Sequence, residues 1–324
     1  MTEKIRWGII STANIGRKRV IPAIQASTNG EVVAVASRDA ARAREFADML
    51  DIPTAYGDYD ALLNDPNVDA IYNPLPNAQH AEWSIKCAVA GKPTLCEKPL
   101  AGDADEAQRM VDAFKSRDVL LAEAFMYRFH PQTQRVLAMV NNGEIGTLHT
   151  MKGAFTFPLR NEGNIRLSKD LAGGSLMDVG CYCVNVMRLM AGENPVEGHA
   201  VAQFGAESRV DEWLAGVLKF PSGAVGHLDC SLRSYRTHTY DLRGSEGRIV
   251  VEEGFVMDAD KPTTIRHWRG DSYNEIVIPA ANSYTLMVED FADALLNHRA
   301  PRYAPQDGVD NMRVIDMLLA SARN

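Results

Sequence analysis

In the stretch TLCEKPLAG, Thr94 to Gly102, a lysine stands between an acid and a proline where a buried strand runs out. Lys98 at the carboxyl end of a strand is placed to donate to a reacting oxygen, since ligands of parallel sheets bind outside those ends. Pro99 limits its movement, because the residue before a proline is held extended. Taken alone, such a lysine serves equally to cap the last carbonyls of its strand or to pair with Glu97. A second group lies in GGSLMDVGCYCVNVM, whose spacing predicts a helix. Leu176, Val179, Cys183, Val186 and Met190 form one apolar stripe that suffices to bury it. Asp178, Tyr182 and Asn185 fall at i, i+4 and i+7 on a neighbouring stripe. An acid, a phenol and an amide share one face, and spacing alone favours a hydrogen-bonded interface between domains.

A third feature is the turn in WGIISTANIG, directly between the first strand and the first helix. A dinucleotide site uses this geometry to aim backbone N–H groups and a helix N-terminus at a pyrophosphate. Against G-x-G-x-x-G the chain has Ser11, Ala13 and Gly16, so only the last glycine is kept, and the hydroxyls of Ser11 and Thr12 offer donors in place of close backbone approach. Asn14 and Ile15 complete the turn. At the end of the second strand an NAD site carries an acid for the ribose hydroxyls. Here Ser37 and Arg38 stand at that place, and an arginine pairs with a 2′-phosphate, so NADP(H) is favoured over NAD(H). Asp39 is expected to cap the following helix.

The elements that must position these residues change character along the chain. KIRWGII, EVVAVASR, DAIYN, PTLCEKP and VLLAEAF read as strands; the helices between them run 14–27, 39–50, 77–91 and 103–117, with Pro22 interrupting the first. That alternation predicts an α/β domain, residues 1–123, with a doubly wound parallel sheet. Residues 124–324 read as an α+β domain: helices at 130–142 and 175–190 precede strand-like HAVAQFG, EWLAGVLKF, AVGHLDCSL, THTYDLRG and GRIVVEE, which imply a large, mostly antiparallel open sheet. Helical spacing returns over 284–297 and 308–322, segments that could return to the first domain.

Composition sets the outer limits. With 324 residues, 46% hydrophobic and 23% charged, the chain suits two soluble globular domains. A net charge of −8 disfavours nucleic acid and anionic membranes. Neither a signal-like apolar run nor a stretch of about 18 apolar residues occurs, so a cytoplasmic protein is the expectation. Cys87, Cys96, Cys181, Cys183 and Cys230 lack zinc-like spacing, and side chains at i and i+2 of a helix point about 200° apart. Reduced, buried thiols and no metal are expected.

Together these motifs resemble the glucose-fructose oxidoreductase, inositol dehydrogenase and rhizopine catabolism (Gfo/Idh/MocA) family over nearly the whole length. The carriers are GIISTANIG, NPLPNAQH (Asn73 to His80), Glu97-Lys98-Pro99, EAFMYRFHP (Glu123 to Pro131) and GGSLMDVGCY (Gly173 to Tyr182). The tyrosine at 182 resembles the branch with dimeric dihydrodiol dehydrogenase, NADP-dependent D-xylose dehydrogenase and 1,5-anhydrofructose reductase; many inositol dehydrogenase relatives have histidine there.

The resemblance implies roles. Lys98 would touch the nicotinamide ribose and the substrate hydroxyl, Tyr182 would be the general acid/base with its phenolate favoured by the lysine, and Asp178 would orient substrate or Lys98. Asn73, Pro74, Leu75, Asn77, His80, Glu97 and Arg128 would line the cofactor, with Phe125 and Arg160 near the substrate. A homo-oligomer, dimer or higher, through the outer face of the second domain's sheet is implied too. The leading reading is an NADP-dependent oxidoreductase of a sugar, polyol or related compound. A non-catalytic NADP(H)-binding regulator and a cofactor-assisted glycosidase are the alternatives, and retention of Lys98, Asp178 and Tyr182 argues against the first.

Overall fold

The computed structural model describes residues 4–324. Contacts divide them into two compact units: the chain up to Met126 together with Tyr284–Val309, and Tyr127–Ser283 together with Asp310–Asn324.

In the first unit β1 (Ile5–Ile10), β2 (Gly30–Ala36), β3 (Thr54–Tyr56), β4 (Ala70–Asn73), β5 (Thr94–Cys96) and β6 (Leu121–Glu123) form one sheet in the order β3-β2-β1-β4-β5-β6. Every pairing is parallel, and the order reverses between β1 and β4, the point at which such sheets bind ligands. Helices α1 (Ile21–Ala26), α2 (Ala40–Met49), α3 (Tyr59–Leu63), α4 (Asn77–Val89) and α5 (Ala104–Lys115) make the crossovers. Asp39 caps α2 as expected, accepting from the N–H groups of Ala41 and Arg42; Asp58 and Asp103 cap α3 and α5 in the same way.

The element β3-α3 was not expected, since β3 has three residues and none is fully buried. Pro22 does not stop the first helix. Gly16–Val20 form a π-turn in which the Ile21 N–H reaches the Gly16 carbonyl, and α1 starts with proline in its first turn, where a missing N–H costs nothing.

In the second unit α6 (Pro131–Asn141) precedes β7 (Leu148–Thr156) and α7 (Cys181–Ala191). Then come β8 (Glu197–Phe204), β9 (Asp211–Lys219), β10 (Val225–Ser231), β11 (Thr237–Gly244), β12 (Gly247–Val251), β13 (Thr263–Arg269) and β14 (Ser272–Ile278). The eight strands run β14-β13-β12-β11-β7-β10-β9-β8. All neighbours are antiparallel except β7 and β10, so the sheet is mostly antiparallel, as expected, around a central strand, β7, that the sequence reading did not place. β7 packs on α7, where a side chain at Gly153 would come within 3.1 Å of Cys183 Cβ. On the other face Val201, Trp213, Val217 and Val225 are exposed.

The last helices divide between the units. Helix α8 (Ser283–Leu296) returns to the first unit, where Phe291 meets Trp7 with ring centroids 5.1 Å apart and the Glu289 carbonyl accepts from Asn29 Nδ2 at 3.0 Å. From Asp310 onward α9 (Pro305–Ala322) belongs to the second unit: Asn311 accepts from Arg188 at 3.3 Å and donates to the Cys181 carbonyl at 3.3 Å. All five cysteines are free and buried, and burial pushes the Cys87 thiol up to about 12.

Candidate active site

The turn after β1 carries the first set. Ser11 occupies the left-handed region, φ 74°, which glycine enters without a steric cost, and its N–H bonds the Ala36 carbonyl at 2.9 Å. Its Oγ is buried and has no hydrogen-bond partner in the protein. Thr12, Ala13, Asn14 and Ile15 lead into the π-turn, with Arg17 bonded to the Ala13 carbonyl and to Asn14 Oδ1. One strand over, Ser37 is buried and Arg38 exposed. Burial raises the Tyr59 phenol, while Arg38 and Arg42 beside it pull it back and Arg38 bonds it. The end of β2 thus gathers two guanidiniums, a serine and a phenol, while the oxygen of Asp39 is engaged in capping α2. An orphaned buried hydroxyl at the turn and this acid-poor cationic corner fit the pyrophosphate and 2′-phosphate of NADP(H). Arg42 and Tyr59 were missed in the sequence; Arg42 lies one helical turn after Arg38, a spacing that could have disclosed it.

At the carboxyl ends of β4 and β5 two of the expected lining residues, Asn73 and His80, also brace the protein. Asn73 is fully buried, donating to Ser84 Oγ at 3.0 Å and accepting from the Leu75 N–H at 3.2 Å. Pro74 is buried with it, and Asn77 opens α4 half-buried. His80 is braced from behind the loop. Its ring is fully buried, with Nδ1 2.9 Å from the Pro99 carbonyl and Nε2 2.7 Å from the Leu75 carbonyl. A neutral imidazole has one N–H and so donates to one of these two carbonyls, while the enclosed ring packs between the loop after β4 and the Glu97-Lys98-Pro99 loop. Burial lowers its pKa to about 4 against the help of both carbonyls, and the Lys98 charge lowers it further. Glu97 accepts from the buried Tyr72 hydroxyl at 2.7 Å and from the Lys98 N–H at 3.3 Å. Lys98 itself is half-buried. Phe125, just beyond β6, is fully buried.

In the second unit Asp211 seats the helix that bears Asp178 and Tyr182, accepting from Ser175 Oγ and the Leu176 N–H, each at 2.7 Å. Leu176–Gly180 then form a second π-turn, with the Cys181 N–H reaching the Leu176 carbonyl, before α7 proper begins. A wide turn advances by a smaller angle per residue than an α-turn, which brings Asp178 and Tyr182 closer to one line on the surface. Asn185 is not part of that row's open face: it is buried and accepts from Tyr127 Oη at 2.6 Å. Indeed α7 is buried on all sides from Cys181 to Met187, so the single apolar stripe understated its burial. The Tyr182 ring lies 5.4 to 5.7 Å from those of Phe155, Phe255 and Tyr127, an aromatic enclosure that leaves it 5% exposed. Asp178 receives Arg166 Nε on its Oδ2 at 2.6 Å. Arg128 is buried, its carbonyl accepting from Gln134, and Arg160 is exposed on the loop after β7. Among the described residues no group of three or more His, Cys, Asp or Glu side chains is arranged to hold a metal ion. Nor is any helix long and apolar enough to cross a membrane.

A parallel dinucleotide sheet followed by an α+β unit that presents an acid–tyrosine pair defines an oxidoreductase of two-domain design. Residues 5–125 match the model of the oxidoreductase family with an NAD-binding Rossmann fold (GFO_IDH_MocA), and residues 133–250 match the GFO/IDH/MocA C-terminal domain. The chain belongs to that family. It is 41% identical over 317 residues to D-xylose 1-dehydrogenase (NADP(+)) 2 of Haloferax volcanii, covering 98% of this chain and 97% of the relative. To the mouse trans-1,2-dihydrobenzene-1,2-diol dehydrogenase it is 35% identical over 77% of this chain and 75% of the other. Its structure is similar to that of a 3-ketoreductase from Actinomadura kijaniata in complex with NADP and TDP-benzene, with TM-score 0.93, 32% identity and 98% of each chain covered. That reductase has also been solved with one tyrosine changed to phenylalanine, and with one lysine changed to alanine or to glutamate.

Proposed function

We propose that this chain is an NADP(H)-dependent dehydrogenase or reductase of sugars, acting on a CH–OH group of a free aldose such as D-xylose or on the corresponding carbonyl. The reading is carried by the 41% identity, over nearly the full length of both chains, to an NADP+ D-xylose dehydrogenase. The cation-rich end of β2 supports the choice of NADP(H), with Arg38 and Arg42 placed for the 2′-phosphate. Ser11, Thr12, Ala13, Asn14 and Ile15 would hold the pyrophosphate. Asn73, Pro74, Leu75 and His80 would shape the nicotinamide end by supporting the loop that carries Glu97 and Lys98.

When bound, the cofactor takes up the hydride that leaves the carbinol carbon. Tyr182 accepts the hydroxyl proton as the carbonyl forms and returns it in the reverse direction, and Lys98 donates to the reacting oxygen. Asp178 would fix a substrate hydroxyl, with Phe125 and Arg160 on the sugar's side and Arg128 on the cofactor's. The first domain, up to about residue 123, would serve the cofactor and the remainder the substrate, apart from α8. The exposed Val201, Trp213, Val217 and Val225 support pairing of two copies through the open sheet face. The five free thiols suit a reducing compartment such as the cytoplasm.

The test is NADPH formation on a panel of aldoses, polyols and dihydrodiols by wild type and Tyr182→Phe. Loss of the phenolic oxygen should lower kcat by roughly 10² to 10⁴ with cofactor affinity nearly intact. Undiminished turnover by Tyr182→Phe defeats the mechanism. A wild type that binds NADP(H) but turns over none of the panel defeats the reading itself.

A further inference from the structure

The loop between β7 and the catalytic helix contributes a residue that no part of the proposed mechanism has used. Arg166 lies in a short 3-10 turn, Ile165–Leu167, that Asn164 caps. Asn164 Oδ1 accepts from both the Arg166 N–H, at 3.1 Å, and its Nη1, at 3.4 Å. The Arg166 carbonyl in turn accepts from the Gly174 N–H at 2.8 Å, and a side chain at Gly173 would come within 2.4 Å of that carbonyl oxygen. The chain is therefore folded tightly back on itself at this point, and the fold delivers the guanidinium to the helix that bears Asp178. There Nε donates to Asp178 Oδ2 at 2.6 Å, while the Phe157 ring lies 6.0 Å below the guanidinium carbon.

This contact contributes little to stability. The Arg166 side chain is 40% exposed, and water screens an ion pair with so open a partner. Nor is it needed to start the helix, because Asp211 already receives Ser175 and Leu176. Its effect is geometric: a carboxylate turns easily about its last torsion, and a short charge-assisted bond to Nε fixes its plane. That carboxylate stands one turn before Tyr182, and side chains so spaced are about 5 to 6 Å apart at Cβ. A sugar carbon reacting at the phenol therefore presents its neighbouring hydroxyl to the acid. An ionised carboxylate only accepts hydrogen bonds, so what it selects is a donor, a hydroxyl.

We propose that Arg166 is a specificity-determining positioning residue, holding Asp178 so that the carboxylate binds the hydroxyl vicinal to the carbon oxidised at Tyr182. The inference rests on the dehydrogenase reading and names the substrate class as a vicinal hydroxy compound. A substrate lacking that hydroxyl leaves the acid without its donor, and discrimination of this kind exceeds that of a purely apolar pocket.

The experiment measures kcat and KM for D-xylose and 2-deoxy-D-xylose in wild type, Arg166→Gln, Arg166→Lys, Asp178→Asn and the Arg166→Gln/Asp178→Asn double variant. NADP+ titration and thermal melting accompany each protein. Arg166→Gln should lose at least ten-fold more kcat/KM on D-xylose than on the deoxy sugar, chiefly through KM, with NADP+ affinity and melting temperature near wild type. Arg166→Lys should recover part of the loss, and the double variant should be no worse than Asp178→Asn. Equal losses on both sugars, an unchanged preference, or effects that multiply in the double variant each overturn the proposal. If wild type turns over neither these sugars nor any other aldose, the dehydrogenase reading falls and takes this inference with it. An active wild type with an unaltered preference in Arg166→Gln removes the inference alone.

Discussion

The buried histidine of the first unit makes stability depend on pH in a way that can be isolated. His80 is held neutral in the fold with a pKa of about 4, against 6.5 for an unperturbed imidazole, because burial opposes the charge and Lys98 adds to the opposition. Between those two values the unfolded chain carries a proton that the folded chain does not. Stability must then fall as pH drops through that window, by about 1.4 kcal/mol per pH unit in its middle. The full loss below pH 4 is on the order of 3 kcal/mol. His130, His227 and His238 are also lowered by burial and act in the same direction, so the absolute acid limb is a sum. The difference between wild type and His80→Gln removes them. Urea unfolding at several pH values from 7.5 to 4.5 should show His80→Gln less stable near neutrality by about 1 to 3 kcal/mol, through the lost carbonyl bond. As pH falls, that deficit should shrink, because the glutamine takes up no proton. Parallel curves for the two proteins would refute the assignment of a neutral, enclosed imidazole.

Two further outcomes follow from the cofactor half. Arg38→Ala should weaken NADP(H) by ten-fold or more while hardly altering NAD(H), read by fluorescence titration with both cofactors; equal affinity of wild type for the two would remove the 2′-phosphate argument. Ser11→Gly should stabilise the cofactor-free protein by up to about 1 kcal/mol in urea, since it relieves a left-handed φ of 74°; a lower midpoint would mean that the hydroxyl compensates within the protein.

How legible the molecule was depended on where periodicity and caps coincide. The parallel half could be read because its strands are apolar runs ended by turn residues, and because Asp39 announces α2. Central β7 escaped notice: LHTMKGAFT places Lys152 on the open face and Gly153 against α7, so neither face forms an apolar series. β14 is mostly exposed, and its apolar residues Ile276, Val277 and Ile278 run consecutively rather than alternating. Within the site, Lys98, Asp178 and Tyr182 stood out by type and spacing. Arg166 did not, because a loop arginine is distinguished only by the fold that carries it to Asp178. His80 and Asn73 stood out by type, but their bonds to Leu75, Pro99 and Ser84 were not legible, since a sequence cannot say which backbone or side chain a buried polar group meets.

The return of α8 to the first unit has a consequence for the order in which the protein can be made. Trp7 is made well before Phe291, the ring it meets in the buried core, which arrives after every strand of the second unit. The nucleotide-binding half cannot complete its core during synthesis and must wait, with an apolar flank uncovered, for a helix separated from it by 157 residues, Tyr127 to Ser283. Such long-range closure slows folding and exposes the nascent chain to aggregation. A fragment ending at Met126 would carry that bare flank permanently, whereas a circular permutant that places α8 ahead of β1 would turn the last contact of the native chain into one of its first.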